Sequence, residues 1–277
     1  MSFQLSASGT GAPPTPAESL LKAGRLDEAL QALTAQVRGN PADAAARVFL
    51  FQLLAVGGQW ERAGTQLQAS SQMDASNAVL GAIYGILLEA ERVRAEVFAG
   101  NRLPTAIGEP EPWLAMLLQA AKLDGQGQHD QAAALRGQAF EQAPATSGRI
   151  DDAPFSWLAD ADPRFGPCLE IVVNGNYGWA PFSRMRALSV QAPASLSDML
   201  WAPVSVVWNN GGESAGFVPA RYPGSETAGD ELVRLGRRTE WVQAGTDGWT
   251  GVGQRMLATD AGEFPLLDIR QVEFDEH

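Results

Sequence analysis

Cysteine occurs once, at Cys168, and histidine twice, at His129 and the terminal His277. A single thiol excludes an internal disulfide framework and any multi-cysteine metal site. Two distant histidines leave almost nothing for imidazole catalysis or zinc. Positive charge is also short: 20 Lys and Arg stand against 32 Asp and Glu, a net −12. Proteins that neutralise phosphates are basic, so nucleic acid is not an expected partner, and an anionic membrane surface repels this chain. Long hydrophobic runs are missing. The longest, residues 48–56, is interrupted by Gln52 and is too short to cross a bilayer. Residues 1–15 are small and polar, with Gly11 and Pro13-Pro14, and lack the apolar centre of a secretory signal. They read as a disordered leader on a cytoplasmic protein. There is no Walker loop and no Gly-x-Ser-x-Gly elbow.

What is present suits two domains. The chain has 277 residues, 45% of them hydrophobic, enough for a sizeable core. Residues 1–149 carry 11 basic and 14 acidic side chains, and residues 150–277 carry 9 and 18. Six of the eight tryptophans, Trp157, Trp179, Trp201, Trp208, Trp241 and Trp249, lie in the second half. Alanine crowds the first half. The breaker-rich run at residues 144–148 marks the expected boundary.

The first half repeats. Gly24-Arg25-Leu26-Asp27-Glu28-Ala29 returns 34 residues later as Gly58-Gln59-Trp60-Glu61-Arg62-Ala63, and a weaker copy is Gly127-Gln128-His129-Asp130-Gln131-Ala132. A period of 34 is the mark of helix-turn-helix solenoids. The Gly ends one helix, and the Ala five positions later lets two helices approach closely. Thr15-Pro16-Ala17-Glu18 reads as a capping box with Pro in the first turn. Leu26, Ala29, Leu30, Leu33 and Val37 form one helical stripe. Asn40-Pro41 is expected to start the next helix. Val79, Ile83, Ile86, Leu87, Ala90, Val93 and Val97 continue the pattern, then 113–123, and last Ala132, Leu135, Ala139 and Phe140. This half resembles the tetratricopeptide repeat, with the second-helix signature missing between Asn77 and Pro112.

The second half is β-rich. Residues 169–173 form a β-branched run before the hairpin turn Asn174-Gly175-Asn176, and residues 204–208 form another before Asn209-Asn210-Gly211-Gly212. Shorter strands are expected at 188–190, 240–243, 255–258 and 266–272, with short helices at 195–200 and 230–235. The expected architecture is therefore α+β and multidomain. Tetratricopeptide-like helices span 16–145, and a small antiparallel sheet or partly open barrel spans 150–277.

Candidate chemistry is thin. Asp151, Asp152, Asp160 and Asp162 cluster, and such carboxylates hold Mg²⁺ or Ca²⁺ in other settings. The ligand spacing of a calcium loop is absent, so caps, turns and surface charge are the expected roles. Ser225, in Tyr222-Pro223-Gly224-Ser225-Glu226, has no histidine in its half except the terminal one. Cys168 reads as a small buried hydrophobe. Trp179, Trp201, Trp208 and Trp241 are expected mostly to fill a β core, with partner anchoring as the alternative. No catalytic residue, cofactor site or metal site is assigned.

One resemblance is specific. Residues 154–167 (PFSWLADADPRFGP), Asn174-Gly175-Asn176-Tyr177, Asp198-Met199-Leu200-Trp201, Arg221-Tyr222-Pro223-Gly224-Ser225-Glu226 and Thr239-Glu240-Trp241 are similar, in order and spacing, to the second domain of the ImpE/TagJ family. The motif residues Trp157, Asp160, Asp162, Trp201, Arg221, Tyr222, Gly224, Glu226 and Trp241 are thereby expected to be structural or partner-facing. That family is an accessory component of bacterial type VI secretion. The resemblance implies a non-enzymatic protein that binds the N-terminal helix of the small contractile-sheath subunit. It also implies an influence on sheath handling by the disassembly ATPase. Two other readings stand beside it: an enzyme with a carboxylate site at Asp160 and Asp162 and an arginine at Arg221, or a generic helical-repeat scaffold.

Overall fold

The computed structural model describes residues 14–109, 111–246 and 248–275. The expected leader, apart from Pro14 and Thr15, and His277 lie outside the described residues. Helix α1 (Pro16–Lys22) opens with Thr15, whose hydroxyl accepts from the Glu18 amide while the Glu18 carboxylate accepts from the Thr15 amide. Helices α2 (Leu26–Gly39), α3 (Ala44–Val56) and α4 (Trp60–Met73) follow, and α6 (Pro112–Gly125) and α7 (His129–Gln142) close the helical half.

The repeated glycines have one task. Gly24, Gly58 and Gly127 sit at φ +79°, +66° and +76°, just past α1, α3 and α6. Each donates to the carbonyl three residues back, while the next amide donates to the carbonyl five residues behind it. This left-handed cap is cheap only for glycine. The turn lets α2, α4 and α7 fold back, with Ala29, Ala63 and Ala132 fully buried at the crossings.

Helix α3 starts later than Asn40-Pro41 suggests. Pro41 and Ala42 form a turn, and the Asp43 carboxylate caps the helix through the Ala46 amide. Helix α5 (Ala78–Phe98) is a single 21-residue helix, and among the described residues between it and α6 no second helix of a repeat follows. The chain instead runs to the sheet, where Trp179 donates to the Thr105 carbonyl and Ile107 to the Trp179 carbonyl. The apolar stripe of α5 is therefore split. Leu87, Ala90 and Val97 are buried, while Val79, Ile83 and Ile86 are exposed.

Among the described residues the β-rich half holds three antiparallel sheets rather than one. Eight strands run in the order β2 (Ala153–Phe155), β1 (Gly148–Ile150), β13 (Gln271–Phe274), β6 (Met185–Val190), β7 (Trp201–Trp208), β8 (Glu213–Pro219), β4 (Cys168–Val173) and β5 (Asn176–Pro181). Asn174 and Gly175, at φ +51° and +76°, form the tight β4–β5 turn. Strand β3 (Leu158–Asp160) pairs with β11 (Met256–Thr259), which pairs with β12 (Gly262–Pro265); β9 (Thr239–Ala244) and β10 (Gly248–Gly253) form a separate hairpin. The expected helix at 230–235 is the short α8 (Glu231–Arg234). The one at 195–200 is a 3-10 turn at Ser197–Met199, and the strand expected at 266–272 begins only at Gln271.

The two halves share one hydrophobic core, from Ala17 in α1 to Val272 in β13. No helix of the described residues is long and apolar enough to cross a membrane. Filling a tight crossing tests the repeat register. Ala63→Leu should lower stability by roughly 1–3 kcal/mol through overpacking, measured as a drop in melting temperature. An unchanged melt would contradict the close α3–α4 approach.

Candidate functional site

The motif residues converge where α5 meets the sheets. Arg94, on α5, extends its guanidinium into the β-rich half and bonds Glu170 of β4 twice, Nε to Oε1 at 2.8 Å and Nη2 to Oε2 at 3.0 Å. Arg255, before β11, pairs with both Glu170 and Asp160. Arg255, Asp160 and Glu170 have no exposed side-chain surface. Tyr177 donates its hydroxyl proton to Glu170 at 2.6 Å, and Tyr222 donates to Asp160 at 2.8 Å. The Arg255 guanidinium lies 4.4 Å from the Phe165 ring centre and 5.2 Å from that of Tyr222, near enough for cation–π attraction.

The electrostatics follow from burial set against pairing. Burial alone opposes charge on Glu170, but Arg94 and Arg255 outweigh it and hold the carboxyl below its usual range. Burial dominates at Asp160, despite Arg255, and pushes that carboxyl up to about 6. Desolvation pulls Arg221 down to about 10. That side chain has backbone partners, donating to the carbonyls of Val56 in α3 and Arg234 in α8.

Asp162 is also buried, paired with Arg164 and accepting from the Gly251 amide at 2.7 Å. The expectation of surface charge for Asp160 and Asp162 is thus corrected: both anchor buried pairs. Asp151 does act as a cap, accepting from the amides of Arg270 and Gln271. Trp201 is buried against helices rather than strands. Its indole donates to Glu91 of α5 at 2.8 Å, and its ring meets Trp60 and Tyr84. Trp179 likewise meets Phe98 at the end of α5.

Gly224, at φ +86°, turns the chain so that Glu226 lies over Gly58. A Cβ on Gly58 would come within 2.6 Å of the Glu226 Cγ. Ser225 is buried, donating to the Tyr222 carbonyl and accepting from the Gly253 amide. Trp157 and Trp241 are the exposed motif side chains, at 42% and 38%, with Glu226 half-buried, and the Trp241 ring also packs on Tyr222 at 5.9 Å.

Arg94, Glu170 and Arg255 are the participants that the motifs did not single out. Their sequence signal is a charge inside an apolar run, as Glu170 is in Cys168-Leu169-Glu170-Ile171-Val172-Val173. The cluster is closed to substrates, because the Asp160, Asp162 and Glu170 oxygens are taken by internal donors. Among the described residues no group of three or more His, Cys, Asp and Glu is placed to hold a metal. One open concavity, of about 200 Å³, lies between α5 and the 223–226 turn, lined by Arg94, Phe98 and Glu226, and two lie in the helical half. One of about 500 Å³ is lined by α1, α2, α3 and the 194–196 loop, with Leu33, Val48 and Phe49 in its wall; another, of about 350 Å³, lies between α4 and α5.

A tetratricopeptide-type array welded to a β-rich domain through buried ion pairs defines the class. The tetratricopeptide repeat model matches residues 20–83, and the model described as ImpE protein matches residues 152–273. A curated relative from Pseudomonas aeruginosa, named type VI secretion system accessory component TagJ, is 50% identical over 94% of this chain and 91% of its own length. The chain belongs to the ImpE/TagJ family. A crystal structure of a Vibrio parahaemolyticus protein superposes with a TM-score of 0.87 at 26% identity, covering 95% of this chain and 98% of that one.

Two measurements check the buried cluster. Glu170→Gln leaves two arginines short of a carboxylate and should cost about 3–5 kcal/mol, read by chemical denaturation; a loss below about 1 kcal/mol would contradict the geometry. Asp160 supplies a pH signature. Its folded carboxyl keeps its proton up to about 6, against 3.8 for the ordinary group. The native state therefore binds more protons than the unfolded state between about 4 and 6. The Asp160 contribution to stability thus falls as pH rises through that window. The wild-type melting temperature minus that of Asp160→Asn should shrink from pH 4 to pH 6.

Proposed function

We propose that this protein is a non-enzymatic accessory component of bacterial type VI secretion, working in the cytoplasm. In this reading it binds the N-terminal helix of the small contractile-sheath subunit and modulates sheath assembly or disassembly, with the disassembly ATPase as a second partner. The observation that carries the reading is the division of labour in the molecule. The buried polar residues of the family motifs are taken up in internal contacts, Asp160 and Asp162 within the β-rich half and Arg221 and Trp201 across to the helices, whereas the apolar concavities belong to the helical array. Helical arrays recognise partner helices by burying i, i+3, i+4, i+7 anchors in such surfaces. The curated relative's role as a secretion accessory component supplies the setting.

The helical half has 11 basic and 14 acidic residues through position 149. Contact there is accordingly driven by apolar burial with a charged rim. The test mixes the full-length chain with purified small sheath subunit, intact and with its N-terminal helix deleted. Co-elution with the intact subunit and its loss on deletion is the expected result. Equal retention of both forms would reject the helix as the recognised element, and retention of neither would reject the sheath subunit as partner.

A further inference from the structure

Helix α5 carries an apolar face that nothing among the described residues covers. From Ala75 to Leu88 no residue is charged. Val79, Ile83 and Ile86, at i, i+4 and i+7, are 70%, 39% and 46% exposed, and Met73 at the end of α4 is 47% exposed. Lower on α5 the same stripe is buried, through Ala90 and Val97. The bare part is where the second helix of a repeat would return, had the chain not left for the β5 edge. Beside it runs the α4–α5 groove, floored by Gly64, Gly81 and Gly85. A Cβ on Gly85 would meet no atom within 4 Å, so an incoming backbone has room to approach.

We propose that this face is the seat for an amphipathic helix from a partner protein, which takes the place of the missing second helix. The proposal rests on the sheath-helix reading and specifies where that helix sits. The dimensions select one helix over a second copy of this chain. Fourteen helical residues make a footprint of about 20 Å by 10 Å, far below the ~800 Å² per partner that a stable dimer needs. Charge selects the flanks of the occupant. Asp74 stands at the top of the stripe and Glu89, 64% exposed with its Arg92 partner, at the bottom. Arg92 already compensates Glu89, so the occupant carries an apolar stripe with basic residues at the end that meets Asp74, against a protein of net −12.

The test is fluorescence anisotropy of a labelled synthetic peptide, the N-terminal helix of the small sheath subunit, titrated with the full-length chain. Ile83→Asp/Ile86→Asp should weaken binding at least tenfold, and Val79→Asp, at the most exposed position, should weaken it severalfold with the melting temperature unchanged. Gln52→Glu, in the separate α1–α3 concavity, should leave the Kd within twofold. Wild-type affinity in both α5 variants overturns the seat and leaves the sheath reading intact. No binding by the wild-type chain overturns the reading and the proposal together. A dimeric mass in light scattering that Val79→Asp converts to monomer overturns the proposal in favour of a second copy.

Discussion

The structure depends on a charge that cannot reach water. Arg94 enters the β-rich half from a helix, and there its guanidinium is compensated by Glu170, which is shared with Arg255, which in turn holds Asp160. Removing ions from water costs several kcal/mol each, and only close geometry with satisfied hydrogen bonds recovers it. Tyr177, Tyr222 and Met256 supply the remaining bonds. Apolar packing would tolerate a helix sliding by a fraction of a turn. A bidentate arginine–carboxylate pair does not, so the cluster sets the position and angle of α5, and through α5 that of the array.

This explains why the motif residues look chemical and act mechanically. Tyr222 bonds Asp160, the Arg221 carbonyl accepts from Arg94, and the Arg221 side chain reaches the end of α3. Gly224 aims Glu226 over the α3–α4 turn, where Gly58 leaves space. Smaller ties work at the edges: Arg234 of α8 pairs with Asp27 at 2.9 Å, and the tip of the β9–β10 hairpin reaches Asp130 through the Thr246 amide.

The helical half was legible because its signals are local. Glycine caps, buried alanines and a capping box each lie within a few residues, and the 34-residue offset exposes them. The β-rich half was legible in its hairpins, where Asn174-Gly175 dictates a turn, but not in its pairing. That β13 lies between β1 and β6 depends on partners 82 to 126 residues apart, and no local propensity carries that. The burial of Asp160 and Asp162 was missed for the same reason. Four aspartates in a short stretch look like solvated charge until Arg255 and the Gly251 amide arrive from elsewhere. The stripe of α5 was read correctly as helical, but periodicity alone does not say whether a face finds a neighbour.

The wiring of the Arg94 cluster also constrains how the chain is made. Synthesis runs from the N-terminus, so α5 leaves the ribosome well before Glu170 and some 160 residues before Arg255. Until then its arginine has no carboxylate on the far side, and the surface meant for the sheet is an apolar wall around a cation paired only with Glu91 of its own helix. The helical array can form early as separate hairpins, each closed by its own glycine. It locks into one body only when the final strands are in place. A truncated product therefore lacks more than a domain, because in the half that remains Arg94 keeps only Glu91 of its own helix, at 3.4 Å, as a carboxylate partner.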